Sequence, residues 1–108
     1  MLYFQFSGKI LATHKLTISL KHFYSATDEQ VFFTWLQSIS GVLAFEGMGE
    51  ELVVTLKSNR PSQAALRELI AIHYRYGLPM KSLAQFETPT NNAWFCAPQA
   101  YWHSQVFG

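Results

Sequence analysis

The stretch NRPSQAALRELIAIHYRYGLPMKSL, residues 59–83, decides how the rest of the chain is read. Leu66, Leu69, Ile70 and His73 recur at helical spacing, and Ala65, Ile72 and Tyr76 widen that stripe into a core-facing surface. Pro61 suits the first turn of such a helix, and Arg60 before it is steered away from helical angles. Gly77 accepts the left-handed cap and Pro79 cannot continue a helix, so the helix stops there. Lys81–Phe86 then reads as a closing strand.

Before this stretch, Val42–Glu46 and Glu51–Lys57 read as two strands about Gly47-Met48-Gly49, whose glycines permit the positive φ angles of a hairpin. Leu52, Val54 and Leu56 share the inner face. Thr27-Asp28-Glu29-Gln30 has the spacing of a capping box and opens a helix to about Ile39. Val31, Phe32, Trp35, Leu36 and Ile39 form its apolar side, with Phe33 off that stripe. Lys15–Phe23 alternates, with Leu16, Ile18 and Leu20 on one face and Thr17, Ser19 and Lys21 on the other.

From Lys15 to Phe86 the order is β-α-β-β-α-β. The fold expected is therefore α+β and ferredoxin-like, an antiparallel sheet with two helices on one face. Leu2–Phe6 adds an extra N-terminal strand, followed by a turn or bulge at Ser7-Gly8. Asn91–Gly108, rich in Trp94, Phe95, Tyr101, Trp102, Val106 and Phe107, adds an aromatic C-terminal helical clasp in which Pro98 opens a short helix. With 108 residues the chain, 1–108, makes a single domain with a real core.

Bulk properties narrow the function classes. A net charge of +1 is too balanced for a nucleic-acid or membrane-surface binder. No apolar run approaches the ~18 residues of a membrane span, and one cysteine, Cys96, suits a reducing compartment. A soluble cytoplasmic protein is expected. Cys96 and His103 are too far apart along a helix to act as nucleophile and base. His14, His22, His73 and His103 lack the close spacing of zinc ligands, so no metal or other cofactor is expected. Gly47-Met48-Gly49 lacks the rest of a dinucleotide fingerprint. The outer strand positions Thr17, Ser19, Lys21, Val53, Thr55 and Lys57 offer no ring on which RNA could stack. No catalytic residue is expected, and the chain reads as a non-enzyme.

Charge supplies the one ordered feature. Residues 1–27 hold three lysines and no acid, whereas residues 28–51 hold Asp28, Glu29, Glu46, Glu50 and Glu51 with no lysine or arginine. The expected topology gathers these acids at one end of the sheet, with Lys57 and Arg60 at the other. Such an end serves helix dipole and hairpin solvation, or docks a basic partner. In the second case Asp28, Glu29, Glu46, Glu50 and Glu51 act electrostatically, while Phe33 and Met48 supply apolar anchors.

At Leu16-Thr17-Ile18-Ser19-Leu20, His73-Tyr74-Arg75-Tyr76-Gly77 and Tyr101-Trp102-His103-Ser104-Gln105-Val106-Phe107-Gly108 the sequence resembles small bacterial immunity proteins of contact-dependent growth inhibition systems. The resemblance implies a non-enzymatic protein that binds a toxin domain and blocks its active site, and the acidic end would suit a basic toxin. It carries no residue over by position. The alternative expectation is a small-ligand-binding regulatory domain, dimerising through a sheet edge or the aromatic tail; monomer and homodimer both stay open.

Overall fold

The computed structural model describes residues 3–5, as backbone, and residues 13–108. In chain order the elements are β1 (Tyr3–Gln5), β2 (His14–Ser19), α1 (Ala26–Ser38), β3 (Val42–Met48), β4 (Glu51–Leu56) and α2 (Gln63–Arg75). A 3-10 helix at Lys81–Phe86 and two short helices, α3 (Asn92–Phe95) and α4 (His103–Phe107), follow. Residues 2 and 6 of the expected first strand, and the turn at Ser7-Gly8, lie outside the described residues.

The sheet is antiparallel throughout, in the order β1-β3-β4-β2. β2 and β3 each run antiparallel to β4, which lies between them, so both point the same way with α1 as their crossover. β3 and β4 close over two residues, Met48 pairing with Glu51. Gly49 takes φ +66° at the first loop position, where a two-residue hairpin favours glycine. Leu16, Ile18, Phe45, Leu52, Val54 and Leu56 point to one face and are buried. A bulge between Val42 and Ala44 lets Val42 face inward with Phe45 despite their odd spacing.

The helices start and stop for identifiable reasons. Ser25, not Thr27, caps α1: its Oγ accepts the Asp28 N–H at 3.0 Å, while the Asp28 carboxylate accepts the Tyr24 N–H at 2.9 Å. Ser62 caps α2 by accepting the Ala65 N–H at 3.1 Å, which leaves Pro61 just outside the helix. At the far end Gly77 adopts φ +65°. The Leu78 N–H reaches the His73 carbonyl at 2.9 Å and the Gly77 N–H reaches Tyr74 at 3.2 Å, the paired bonds of a Schellman cap.

The ferredoxin-like expectation is overturned. Among the described residues no strand follows α2, and Lys81–Phe86 is a 3-10 helix. The periodicity explains it. Met80, Leu83 and Phe86, all buried, stand three residues apart, which aligns them on one side of a 3-10 helix and would scatter them over both faces of a strand. The segment still follows the missing strand's path. Gly77 lies beside Lys21, and Phe86 packs edge-on against His14, so the chain between them travels alongside β2 in the opposite direction. What survives is an α+β fold, with β1 added outside β3.

Two further readings change. α1 ends at Ser38, with Ile39 as its cap residue, and its buried face is Phe32, Phe33 and Leu36. Val31 is exposed, so the apolar stripe is rotated by about one position from the expected one. The tail does fold back on the domain, but its second helix begins at His103, well after Pro98. Trp94 Nε1 donates to Gln63 Oε1 at 2.8 Å, the Arg67 guanidinium lies 3.9 Å from the Trp94 ring centre, and Tyr101 packs against Tyr74. Gln63, Arg67 and Tyr74 form one stripe of α2, so the tail covers the side of α2 that the sheet and α1 leave open. Among the described residues no helix is long and apolar enough to cross a membrane.

Candidate functional site

Two adjoining hollows define the candidate surface. The first is an open cleft of about 990 Å³ where the end of β2, the start of α1, the β3–β4 turn and the end of α2 meet. The bond from the Leu20 N–H to the Glu50 carbonyl, 3.0 Å, ties the β2 exit to the hairpin, and Gly77 turns the chain away past the Lys21 side chain. Tyr24, Asp28, Glu50, Lys21, His22 and Arg75 line it. The second hollow, of about 460 Å³, is lined by Trp35, Ala71, Tyr74, Arg75 and Tyr101. Tyr74 and Arg75 belong to both, so the two form one continuous surface.

Exposed rings distinguish this surface. Tyr24 is 95% exposed, Tyr101 51% and Tyr74 45%, and Met48, 60% exposed, adjoins the cleft on the hairpin. Tyr24 has its ring almost wholly in solvent, whereas Tyr74 and Tyr101 pack edge-on against each other and leave about half of each ring exposed. Aromatic rings held beside charges of both signs are the chemistry of protein-contact surfaces.

The structure divides the seven residues proposed from sequence. Asp28 and Glu50 line the cleft. Asp28 is already engaged as partner of the Tyr24 N–H and of the Tyr76 hydroxyl. Burial, followed by the charge of Asp28, pushes the Tyr76 phenol up, with Arg75 opposing. Glu51 and Met48 pair across the hairpin beside the cleft. Glu46 stands exposed farther along β3, opposite Val53. Glu29 lies in a separate shallow depression on α1 with Gln30 and Thr34.

Phe33 is no anchor. It is only 8% exposed, packed against Phe23, Phe32 and Phe45 in the core. The purely acidic end does not form either, because β2 brings Lys21 and His22, and α2 brings Arg75, to the same cleft. Lys57 and Arg60 do sit elsewhere, lining a hollow with Ser40, Pro61 and Leu69.

Sequence reading missed Tyr24 and Tyr74, and placed Tyr101 in an aromatic tail left open as core or interface. The available signal was their position: Tyr24 abuts a helix cap, and Tyr74 falls on α2 outside its buried stripe.

The groups with chemical potential elsewhere are quiet. Burial, followed by a hydrogen bond to Glu87 and the charge of that residue, pushes the Cys96 thiol up, which disfavours the nucleophilic thiolate. His73 is fully buried, with Nδ1 2.6 Å from the Leu69 carbonyl, and burial holds its imidazole below the usual value. That contact makes Nδ1 the donor, and Nε2 finds no partner among the described residues. Among the described residues no group of histidine, cysteine and carboxylate side chains could hold a metal ion. Comparison with protein-family models, curated proteins and solved structures gives no match.

Proposed function

We propose that this protein is a non-enzymatic binding module that docks a partner protein on the surface running from Tyr24 past Tyr74 to Tyr101. The observation that carries this reading is the placement of three exposed tyrosines along two hollows that share Tyr74 and Arg75. Rigid aromatic rings contribute large contact area at small entropic cost, and tyrosine and arginine are enriched among residues that dominate binding energy. The hollows lie at the ends of β2, α1 and α2 and against the face of α2, with Tyr101 brought in by the tail.

Toxin neutralisation in a bacterial cytoplasm is the most concrete form of this function. Its support is the resemblance carried by the segments 16–20, 73–77 and 101–108. The mixed charge of the cleft shifts the expected partner from a uniformly basic domain to one whose contact surface carries both signs.

Affinity capture at low salt with the intact chain, Tyr24→Ser and Tyr74→Ala tests the docking surface. One partner retained by the intact chain, and lost at least about tenfold in both variants, supports it. Retention unaffected by either substitution overturns it. For the toxin form, the captured partner arrests growth when produced alone and is harmless with the intact chain; a harmless partner overturns that form.

A further inference from the structure

We infer that the Asp28 carboxylate latches the Tyr24 loop to the end of α2, so that the two halves of the docking surface are coupled to each other. This deepens the docking reading above and rests on it.

Tyr24 cannot place itself. Its ring is 95% exposed, so its position follows from its backbone. Phe23 before it turns inward and packs on Phe32 and Phe33 of α1, at 5.3 and 6.0 Å between ring centres. Ser25 after it is the cap of α1. Between these two anchors the Tyr24 N–H donates to Asp28 Oδ2 at 2.9 Å. The Asp28 backbone is held separately, its N–H donating to Ser25 Oγ at 3.0 Å, so the carboxylate reaches back past the cap from a fixed base.

The same carboxylate accepts a hydrogen bond from the Tyr76 hydroxyl. Tyr76 is the cap residue of α2, and its ring packs edge-on against Phe32 at 4.9 Å and Phe23 at 6.2 Å. One carboxylate thus serves two donors from different elements, the loop leaving β2 and the end of α2. Its two oxygens have lone pairs for both, and bonds to an ionised acceptor are stronger than neutral ones. Lys21, His22, Glu50 and Arg75 line the same cleft, but the hydrogen bonds of this carboxylate go to Tyr24 and Tyr76.

The latch has a mechanical meaning because Tyr74 and Arg75, which both hollows share, directly precede Tyr76. A shift of the α2 end moves the hydroxyl, the hydroxyl moves the carboxylate, and the carboxylate moves the Tyr24 backbone. A partner seated against Tyr74 therefore favours the arrangement that presents Tyr24, and the reverse holds equally. Without the hydroxyl, α2 still packs on α1 through its rings, but the loop answers to α1 alone.

The test is amide hydrogen exchange of the whole 15N-labelled protein, intact and as Asp28→Ala, Tyr76→Phe and the double variant. Neither substitution touches residues 23 or 24, so a change at the Tyr24 amide reports its hydrogen bond. Asp28→Ala should lower Tyr24 protection at least about tenfold, and Tyr76→Phe about threefold, while the amides of the central strand β4 keep theirs and show that the fold is intact. In the Asp28→Ala background Tyr76→Phe should cost Tyr24 nothing more, the signature of a coupling that runs through the carboxylate. An unprotected Tyr24 amide in the intact chain, no response to Tyr76→Phe, or a response that persists in full without Asp28 overturns the inference. If the latch fails in this way while partner capture still depends on Tyr24, the docking surface stands alone. If exchange behaves as expected but capture ignores Tyr24 and Tyr74, the latch stands and the docking reading falls.

Discussion

The chain builds two aromatic clusters from similar residues and puts them to opposite uses. Around Phe32, the rings of Phe23, Phe33 and Tyr76 meet within 6.2 Å of one another in consecutive contacts, and Phe45 closes the group against the sheet. Along α2, Tyr74, Tyr101, Trp102 and Trp94 form a chain of edge-on contacts in which Trp102 is buried, Trp94 half-buried, and Tyr74 and Tyr101 open to solvent. The difference lies in polar handles. The inner rings are mostly phenylalanine and satisfy nothing; the outer ones carry N–H and O–H groups that need a carbonyl, a carboxylate or water. An aromatic composition therefore does not separate core rings from exposed ones, whereas the polar atoms attached to them help to do so.

Substitutions should grade these two regions. The largest loss is expected at the inner cluster: Phe32→Ala removes a fully buried ring and should cost roughly 3–5 kcal/mol in chemical denaturation. A smaller loss marks the buried ring of the outer cluster. Trp102→Phe strips the indole N–H from the Phe95 carbonyl, 2.7 Å away, and should cost about 1–3 kcal/mol. Gly77→Ala meets no crowding but must hold φ +65°, and should cost about 1–2 kcal/mol in thermal unfolding while the outer rings stay packed. If that variant also weakens partner binding, the α2 cap positions the surface as well as ending the helix.

At the open end, Tyr101→Ala should cost about 0.5–1.5 kcal/mol, the range of an edge-on ring contact, yet weaken the partner. Equal losses at Phe32 and Tyr101 would erase the contrast.

The subtlest prediction concerns pH. His73 has a folded-state pKa held below its ordinary 6.5 by burial, so the unfolded chain takes up the proton first. Stability is thus fully present above pH 6.5, falls as the pH drops below it, and levels off below the folded value. His73→Leu should flatten that part of a stability-against-pH curve relative to the intact chain. An unchanged slope would assign the acid sensitivity to other groups.

Much of the framework was legible in the residues because local pattern and tertiary burial agree there. The alternation of β2, the glycine of the hairpin and the capped stripe of α2 each state one solution. Lys81–Phe86 was misread because its six residues were matched to a closing strand, when the spacing of Met80, Leu83 and Phe86 favours a three-residue turn. The site was harder for a different reason. Charge was sorted along the chain, and folding brings Lys21 and Arg75 into the neighbourhood of Asp28 and Glu50 from separate blocks. Phe33 looked superfluous to its helix because the stripe was centred one position away from the face that meets Phe45.

The 3-10 helix beside β2 has a consequence for self-association. Since the segment after α2 coils where it could have extended, β2 ends the sheet as a strand whose outer rim of N–H and C=O groups could recruit another chain. The strand is only six residues long, carries Lys15 on its exposed face, and has its first residue held by Gln85 and capped by the ring of Phe86. Brevity, a lysine and a covered start are features by which natural sheets resist edge-to-edge growth. The irregular turn that breaks the expected symmetry of the fold thus leaves an edge that is guarded by chemistry instead of by another strand.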